Sequence, residues 1–419
     1  MNKLHQQLLF FIVIVTTSCN NSSQQKGKEN LDYKEGSFGY DLQFLRKHDS
    51  VIILKNETGN DQVIVSAKYQ GKVFTSTAAG DAGRSFGWIN YKAFDAPVDP
   101  HMNAYGGENR LWLGPEGGPF SLFFSKDAAM KFENWETPAS IDTEPWTVRA
   151  KANNTVHLQK QMVLKNYAGF ELQLNVDRTI AMLDRASIEK LVELSLTGDV
   201  KSVGYKTINT ITNTGPQAWN EKSGMPCIWI LDMFRPSEAT TIIIPYKDGV
   251  VTNKKIATTN YFGEIPSDRI KYRNGVLFFK ADGKKRGKLG LDPARAKNLA
   301  GSYDALSNIL TITFFDSADG KYLNQEWTTS KPPFSGDVVN AYNDGPLEDG
   351  KQMGPFYEIE SVSPAAFLQS GSSLTHNHTV LHFTGDKNSL DAVVKKVFGI
   401  SLGEIENAFL ENATSFVIP

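Results

Sequence analysis

Short runs of β-branched and aromatic residues, broken by Gly, Asn, Asp and Pro, recur from about residue 50 to residue 385. Regular short strands separated by turn residues are typical of antiparallel sandwiches and barrels. Helical spacing is rare in this region, which disfavours a parallel α/β fold. We therefore predict an all-β antiparallel fold. The clearest predicted strands cover residues 50–54, 62–69, 155–164, 169–180, 206–212, 240–245, 275–280 and 309–315.

Helical spacing of apolar positions is found at the two ends of this region. Ser37 precedes residues 38–47, where we predict a capped helix. Ser389 can cap a second helix, and residues 401–410 can continue as a third. The second helix places four apolar side chains on one stripe: Leu390, Val393, Val394 and Val397. We predict that residues 387–419 form a short C-terminal helical appendage packed on the sheet.

The N-terminus has the pattern of a bacterial lipoprotein signal. Lys3 supplies positive charge, and the apolar run of residues 8–15 is too short to span a bilayer. Small residues precede Cys19 as in a lipobox, and a polar stretch follows it. We predict a signal peptide over residues 1–18 and a lipidated Cys19 that begins a flexible tether, residues 19–36. The alternative is an ordinary signal peptide that contains a cysteine.

Composition limits the partners of the chain. Its 419 residues are 40% hydrophobic and 21% charged, as in globular proteins, and the formal net charge is −2. This charge gives no case for binding nucleic acid or an anionic membrane surface. If Cys19 is lipidated, Cys227 is the one cysteine left, so we predict no intramolecular disulfide and an inert buried thiol.

The sharpest candidate for chemistry lies near the C-terminus, where a turn separates two strand-like runs. Glu358 and Glu360 share one face of the first run, because side chains alternate along a strand. His376, His378 and His382 share a face of the second run and are three of the seven histidines in the chain. We predict that these side chains meet in one hollow of carbohydrate size. The predicted catalytic residues are Glu358, Glu360, His376 and His378.

A metal site is the alternative use of the same residues. Two histidines at positions i and i+2 of a strand can both ligate a metal ion, and a nearby glutamate can complete the coordination shell. A histidine pair more often lines a polar pocket without metal. We assign no metal ligand, and the sequence leaves cofactors open.

Two further segments carry side chains suited to sugars. Glu108, Arg110 and Trp112 fall on one face of a possible strand, where Arg offers a fork of donors and Trp a stacking face. Trp327 and Asn343 lie in stretches rich in amides and aromatics, which suit hydroxylated ligands. We predict that these five residues bind substrate. Glycine-rich turns and an edge strand are the alternative interpretation.

The segments around Glu358 resemble the C-terminal end of aldose 1-epimerases (galactose mutarotases). In that family a strand ending in a catalytic Glu leads to a Pro-containing loop, a tight turn and a Thr-rich strand. The matching parts here are residues 357–360, Pro364, residues 370–373 and residues 379–383. The chain as a whole also resembles a group of Bacteroidota lipoproteins of the galactose mutarotase-like fold, through residues 109–116, 261–269 and 301–304.

The resemblance implies a β-supersandwich over residues 37–386, with a sugar pocket on its concave face. It also implies a Glu that acts as general base on the anomeric hydroxyl and a His that donates a proton to the ring oxygen. Glu358 is the better match for that Glu, and Glu360 also fits the spacing to Pro364. The family's histidines lie earlier in the chain, where the candidates are His48, His101 and His157.

Together, these features predict a lipid-anchored, carbohydrate-active protein of polysaccharide degradation, with epimerase- or mutarotase-like acid/base chemistry on a mono- or oligosaccharide. The predicted location is the bacterial cell envelope, at the periplasmic face of the outer membrane. The alternatives are a non-catalytic glycan-binding lipoprotein and a metal-dependent lyase or hydrolase on the same fold. The sequence leaves open whether the protein is an enzyme.

Overall fold

The computed structural model describes residues 33–250 and 255–410. The predicted signal peptide, the lipidated Cys19 and most of the tether lie outside the described residues. The described residues form one compact unit. None of the helices among the described residues is long and apolar enough to cross a membrane.

Strands dominate the described part of the chain. They are β1 (Ile52–Lys55), β2 (Gln62–Ser66), β3 (Lys72–Thr77), β4 (Arg110–Gly114), β5 (Thr147–Lys151), β6 (Thr155–Lys165), β7 (Glu171–Met182), β8 (Lys201–Asn213), β9 (Cys227–Phe234), β10 (Thr240–Pro245), β11 (Ile270–Arg273), β12 (Val276–Lys280), β13 (Gly287–Leu291), β14 (Leu299–Asp304), β15 (Ile309–Phe315), β16 (Val339–Asn343), β17 (Tyr357–Val362) and β18 (Ser373–Thr384).

The helices are short and few. They are α1 (Phe38–Leu45), α2 (Ala139–Asp142), α3 (Arg185–Val192), α4 (Lys387–Phe398) and α5 (Leu402–Glu406), with 3₁₀ turns at Tyr91–Phe94 and Phe132–Asn134. The predicted all-β class is therefore confirmed. The sequence analysis missed α3, which Asp184 caps by accepting a hydrogen bond from the backbone N–H of Ser187.

The strands form three sheets in which every pairing between named strands is antiparallel. A ten-stranded sheet has the order β11-β12-β10-β14-β15-β18-β8-β7-β6-β5. A five-stranded sheet has the order β13-β16-β17-β9-β4, and β1-β2-β3 form a small third sheet. The two larger sheets pack against each other as a sandwich.

The main core lies between the ten-stranded and five-stranded sheets. Leu111, Ile228 and Ile359 of the five-stranded sheet belong to the same buried cluster as Val176 and Val203 of the ten-stranded sheet. Burying an aliphatic side chain contributes about 1.5–3 kcal/mol relative to leaving it exposed. Side chains of odd number on β17 therefore point into the sandwich, and those of even number point away from it.

The C-terminal helices pack on the opposite, outer face of the ten-stranded sheet. Leu390, Val393 and Val394 of α4 lie in one cluster with Leu381 and Phe383 of β18. This confirms the predicted helical appendage on the sheet. The helix begins earlier than predicted.

The cap of α4 is Asp386 rather than Ser389. The carboxylate of Asp386 accepts hydrogen bonds from the backbone N–H groups of Asn388 and Ser389, so it satisfies two donors at the helix start. Ser401 caps α5, and Glu404 completes a reciprocal capping box with it. Ser37 caps α1, as predicted.

Candidate functional site

The outer face of the five-stranded sheet carries a band of charged and aromatic side chains. Register places Met233, Glu358, Tyr342 and Lys288 side by side across β9, β17, β16 and β13. Beside them, Arg110 of β4 is paired with Leu231 of β9, and Leu231 with Glu360 of β17. Because side chains alternate along each strand, all of these point away from the core. The sheet thus provides a rigid floor for a site.

A cavity of about 300 Å³ lies on this floor. Its size is at the lower end of the range of small-molecule sites. The lining residues include aromatic side chains from several separate segments, together with cations and carboxylates. They are Asp99, His101, Met102, Ala104, Arg110, Trp112, Glu116, Phe132, Trp135, Trp229, Leu231, Met233, Phe262, Arg286, Lys288, Trp327, Tyr342, Met353, Phe356 and Glu358. We call this space the outer cavity.

Glu358 and Arg110 form an ion pair in the outer cavity. The residue Glu358 is only 7% exposed. Burial raises the pKa of the Glu358 carboxyl to about 7, although the Arg110 guanidinium opposes this shift. A carboxyl with a pKa near the working pH can both accept and donate a proton, which is the property that acid/base catalysis requires.

Glu360 lies two residues further along the same face of β17, but it is fully buried. Its Oε2 accepts a hydrogen bond from Lys288 Nζ at 2.9 Å and another from Trp229 Nε1 at 2.8 Å. Burial lowers the pKa of Lys288, but Glu360, Glu116 and Glu358 outweigh it, and the net shift is upward. Lys288 therefore stays charged, and Glu360 is held beneath the cavity floor.

Glu116 is a further carboxylate that lines the outer cavity. Burial raises the pKa of Glu116, and Lys288 and a hydrogen bond from Trp327 oppose the shift. Trp327 also stacks on Trp135, with ring centroids 5.9 Å apart. The wall around Glu116 is therefore aromatic and carries a carboxyl group.

A second cavity of about 460 Å³ adjoins the first. The two share eight lining residues: Glu116, Phe132, Phe262, Arg286, Lys288, Trp327, Tyr342 and Met353. We call this space the adjoining cavity. Because they share these residues, the two spaces are contiguous, and we call them together the cleft.

The predicted meeting of carboxylates and imidazoles in one hollow is wrong. Glu358 and Glu360 face outward, whereas His376 and His378 point into the sandwich, where Ser361 Oγ lies 2.8 Å from His376 Nε2 and 2.8 Å from His378 Nδ1. Both histidines are buried and neither lines the outer cavity. The physical reason is that β17 itself separates them, because its odd and even residues face opposite sides.

The histidines instead belong to a buried polar network. His378 Nε2 lies 2.7 Å from Asp232 Oδ2, and the other oxygen of Asp232 accepts a hydrogen bond from Asn109 Nδ2 at 2.6 Å. Asn109 in turn accepts a hydrogen bond from the buried Arg178. Burial, together with His378, lowers the pKa of His376 to about 3, so this imidazole stays neutral.

Of the five predicted substrate-binding residues, three line the outer cavity and two do not. Arg110, Trp112 and Trp327 line the outer cavity. Glu108 does not, since it is fully buried and accepts a hydrogen bond from Ser76 Oγ at 2.7 Å. Its Oε1 also lies 3.1 Å from His382 Nε2. The reason is that Glu108 precedes β4, so the alternation of that strand does not extend to it.

Asn343 also lies away from the outer cavity. Its Oδ1 accepts a hydrogen bond from the backbone N–H of Gly283 at 2.9 Å, and its Nδ2 donates to the carbonyl of Lys285 at 2.8 Å. Asn343 therefore holds the turn between β12 and β13. These contacts explain the burial of Asn343 without a ligand, but residues 343–345 themselves form no turn.

Sequence reasoning missed several residues of the site. Lys288 and Arg286 stand in a charged stretch that is typical of a solvated turn, and Trp229 stands in an apolar run typical of a core strand. The alternation of β9 was a usable signal, since Trp229, Leu231 and Met233 are all on the face opposite Asp232. Glu116 follows a glycine-rich segment, and no pattern indicated its position.

Among residues 33–250 and 255–410, no group of three or more His, Cys, Asp or Glu side chains is arranged to hold a metal ion. The metal-dependent alternative gains no support from the described part of the chain. Cys227 is buried, and burial raises the pKa of its thiol to about 12. An un-ionised thiol is a poor nucleophile, which fits the predicted inert cysteine.

Residues 36–409 match the model of a protein family described as a family of unknown function (DUF6786). The chain belongs to this family. The match covers both larger sheets, the small sheet and the C-terminal helices. No curated protein matches the chain in sequence.

Several solved structures are similar to this DUF6786 member in fold. A candidate aldose 1-epimerase from Escherichia coli has 12% identity and a TM-score of 0.45, over 80% of this chain and 98% of that one. A Synechocystis protein has 14% identity and a TM-score of 0.47, over 80% and 96% of the two chains. A galactose mutarotase-like protein from Lactobacillus casei has 11% identity and a TM-score of 0.44, over 80% and 100%. Likenesses this distant carry no argument about activity.

Proposed function

We propose that this protein binds a mono- or oligosaccharide in the outer cavity and that Glu358 carries out an acid/base step on it. The observation that carries the proposal is a buried carboxyl, with its pKa raised to about 7, on the floor of an aromatic-walled cavity. Aromatic faces pack against the apolar faces of sugar rings, and charged groups bond their hydroxyls. The epimerase- or mutarotase-like reaction is the best match to this arrangement.

In this reaction Glu358 removes the proton of the anomeric hydroxyl while an acid protonates the ring oxygen, so the ring opens and can close on its other face. The sequence resemblance implies an imidazole donor from earlier in the chain. His101 is the upstream histidine that lines the outer cavity, and its Nδ1 lies 2.5 Å from the carbonyl oxygen of Trp135. That carbonyl can only accept, so Nδ1 carries a proton and Nε2 is the atom that exchanges one.

The test is proton NMR of a panel of reducing sugars with the wild-type protein and with Glu358→Gln. We expect anomeric exchange catalysed by the wild type to fall by about 10²- to 10⁴-fold in the variant, because a positioned general base contributes that much. Binding should change by only a few fold, since Gln keeps the shape of Glu. Glu264→Gln, at an exposed carboxylate outside the cavity, is the matched control. Unchanged turnover in Glu358→Gln would remove Glu358 from the mechanism.

A non-catalytic glycan-binding protein is the second candidate. The observation in its favour is that both outward carboxylates of β17 form ion pairs. Glu358 pairs with Arg110, and Glu360 pairs with Lys288. Paired groups of this kind can serve as fixed hydrogen-bonding groups without transferring a proton. In the same NMR panel, line broadening of a sugar without anomeric exchange or new products would select this function.

We also propose that the protein is anchored in the bacterial cell envelope through a lipid on Cys19 and acts in polysaccharide degradation. The support is the sequence pattern before Cys19 and the polar tether after it. Replacing Cys19 by Ser should move the protein from the membrane fraction to the soluble fraction. Mass spectrometry of the wild-type N-terminal peptide should show the added acyl mass. An unmodified cysteine there would disprove the anchor.

A further inference from the structure

We infer that the sugar bound in this site carries a negatively charged group, a carboxylate or a sulfate, and that Arg286 binds it where the outer and adjoining cavities meet. This inference rests on the proposed function, because it names the class of carbohydrate that the same site takes. Two observations support it: the ion pairing of the charges in the cleft and the fixed position of Arg286.

Arg286 lines both cavities, and its position is fixed by two contacts. The guanidinium stacks on the ring of Phe262, with its central carbon 3.8 Å from the ring centroid. Its Nε donates a hydrogen bond to the hydroxyl oxygen of Tyr342 at 3.2 Å, and that hydroxyl donates to Asp344 Oδ1 at 3.1 Å. These contacts hold the guanidinium in place and leave its two terminal nitrogens for a ligand.

The other cations of the cleft already have carboxylate partners. Arg110 pairs with Glu358, and Lys288 pairs with Glu360. No described carboxylate lies within ion-pair distance of Arg286. Arg presents a planar fork that matches the geometry of a carboxylate or sulfate. Arg286 is therefore the cation in the cleft that is available to an anionic ligand.

The carboxylates of the cleft do not cancel this charge. Glu326 of the adjoining cavity pairs with Lys331 at 2.6 Å. Asp344 accepts hydrogen bonds from Tyr342 and from the backbone N–H of Gly354. Glu116 lies near both Lys288 and Arg286, and Lys288 is the larger of the two opposing charges on it. The cleft therefore offers at its centre a guanidinium that no ion pair closes.

The experiment measures binding to an array of immobilised glycans that includes neutral, uronate-containing and sulfated oligosaccharides. Each charged glycan is accompanied by its uncharged counterpart, the methyl ester of the uronate or the desulfated sugar. The proteins are the wild type, Arg286→Ala, Arg286→Lys and the control Lys285→Ala. Lys285 is an exposed cation next in sequence, and it lines neither cavity.

We expect the wild type to prefer a charged glycan to its uncharged counterpart, and Arg286→Ala to lose about 10- to 100-fold in affinity for it, as expected for a hydrogen-bonded charge pair. Arg286→Lys should lose less, because it keeps the charge but not the fork. Lys285→Ala should bind like the wild type. Comparison of the ester and desulfated arms identifies the charged group.

Three results would overturn the inference. Equal binding of charged and uncharged glycans would show that the site takes neutral sugars, and the proposed function would survive. If Lys285→Ala and Arg286→Ala lose the same affinity for the charged glycan, the positive charge of the whole turn attracts the ligand, and Arg286 forms no specific site. Failure to bind any glycan on the array would overturn both the inference and the proposed sugar-binding function.

Discussion

The two faces of the five-stranded sheet are both lined with charged and polar side chains, but the outer cavity lies against one of them. On the outer face, Arg110, Lys288 and Glu358 border the outer cavity. On the inner face, Asp232 is fully buried and contacts His378 and Asn109 between the sheets. The inner groups are enclosed between the sheets, whereas the outer groups border a cavity.

This difference shows that a cluster of titratable residues does not by itself make a binding or catalytic site. The inner network resembles a catalytic triad by residue type, with Ser361, His378 and Asp232 joined by hydrogen bonds. It is sealed by the core on both sides, so no substrate reaches it. Its hydrogen bonds join the two sheets, which helps to specify how they pack. The outer groups border a cavity of about 300 Å³, and access to such a space is the condition for ligand binding.

The largest expected effect comes from breaking the inner network. Asp232→Ala leaves His378 Nε2 and Asn109 Nδ2 without their carboxylate partner and removes a buried negative charge that acts on Arg178. We expect the free energy of unfolding to fall by about 3–5 kcal/mol, as when one member of a buried pair is deleted. Urea unfolding measures this change. Asp349→Ala, at an exposed ion pair, should leave the unfolding curve unchanged.

Glycan binding by the folded fraction of Asp232→Ala provides the complementary measurement. If the inner network is structural, this fraction should bind sugar as the wild type does. A variant that is fully stable but no longer binds would contradict the division between the two faces, because the inner network would then act directly on the site.

The pH dependence of stability should have opposite signs for the two faces. The pKa of His376 is lowered from 6.5 to about 3 in the folded state, so unfolding takes up a proton between these values and stability rises with pH in that window. The pKa of Glu358 is raised from 4.5 to about 7, so the folded state holds the proton longer and stability falls as pH rises through that window.

The variants His376→Asn and Glu358→Gln isolate these two contributions. Each should remove a slope of at most about 1.4 kcal/mol per pH unit, the value for one proton, and the two removed slopes should have opposite signs. Urea unfolding from pH 4.5 to 6.5 gives both slopes. Variant curves that run parallel to the wild-type curve would show that neither group has a shifted pKa.

A smaller effect is expected from an aromatic wall of the outer cavity. Trp327→Ala should weaken binding of the preferred glycan by about 1–2 kcal/mol, because an aromatic anchor in a pocket carries a large share of the binding free energy. Isothermal titration calorimetry measures the change. Tyr272→Ala, at a partly exposed aromatic outside the cleft, is the control and should bind normally. Equal affinities for Trp327→Ala and the control would place the sugar elsewhere.

Much of the fold could be predicted from local pattern. The runs 155–164, 240–245 and 309–315 agree with β6, β10 and β15 to within a residue. The helix cap at Ser37 could be predicted because capping depends on neighbours in sequence, whereas the predicted cap at Ser389 lies three residues after the actual one, Asp386. The helix α3 was missed because it has only eight residues and lies between two strands. Its cap, Asp184, is a residue type that is also typical of turns.

The candidate site could be predicted only in part. Arg110, Trp112, Trp327 and Glu358 were identified because their residue types suit a sugar, and the structure brings them to one cavity. Lys288 and Glu116 were not, because they come from segments far apart in the chain, and only sheet pairing and loop packing bring them to Glu358. The roles predicted for all of these residues stay predictions until they are tested.

The sequence alone determined which side chains share a face of a strand. Glu358 with Glu360, Arg110 with Trp112, and His376 with His378 follow from the two-residue period of a strand, which is a local property of the backbone. The tertiary structure decided which of those faces is buried. Both faces of β18 carry apolar groups, Val380 on the face of the histidines and Leu381 and Phe383 on the other, so hydrophobicity did not distinguish them. The packing of one sheet on the other placed the histidines inside the sandwich and the carboxylates outside it.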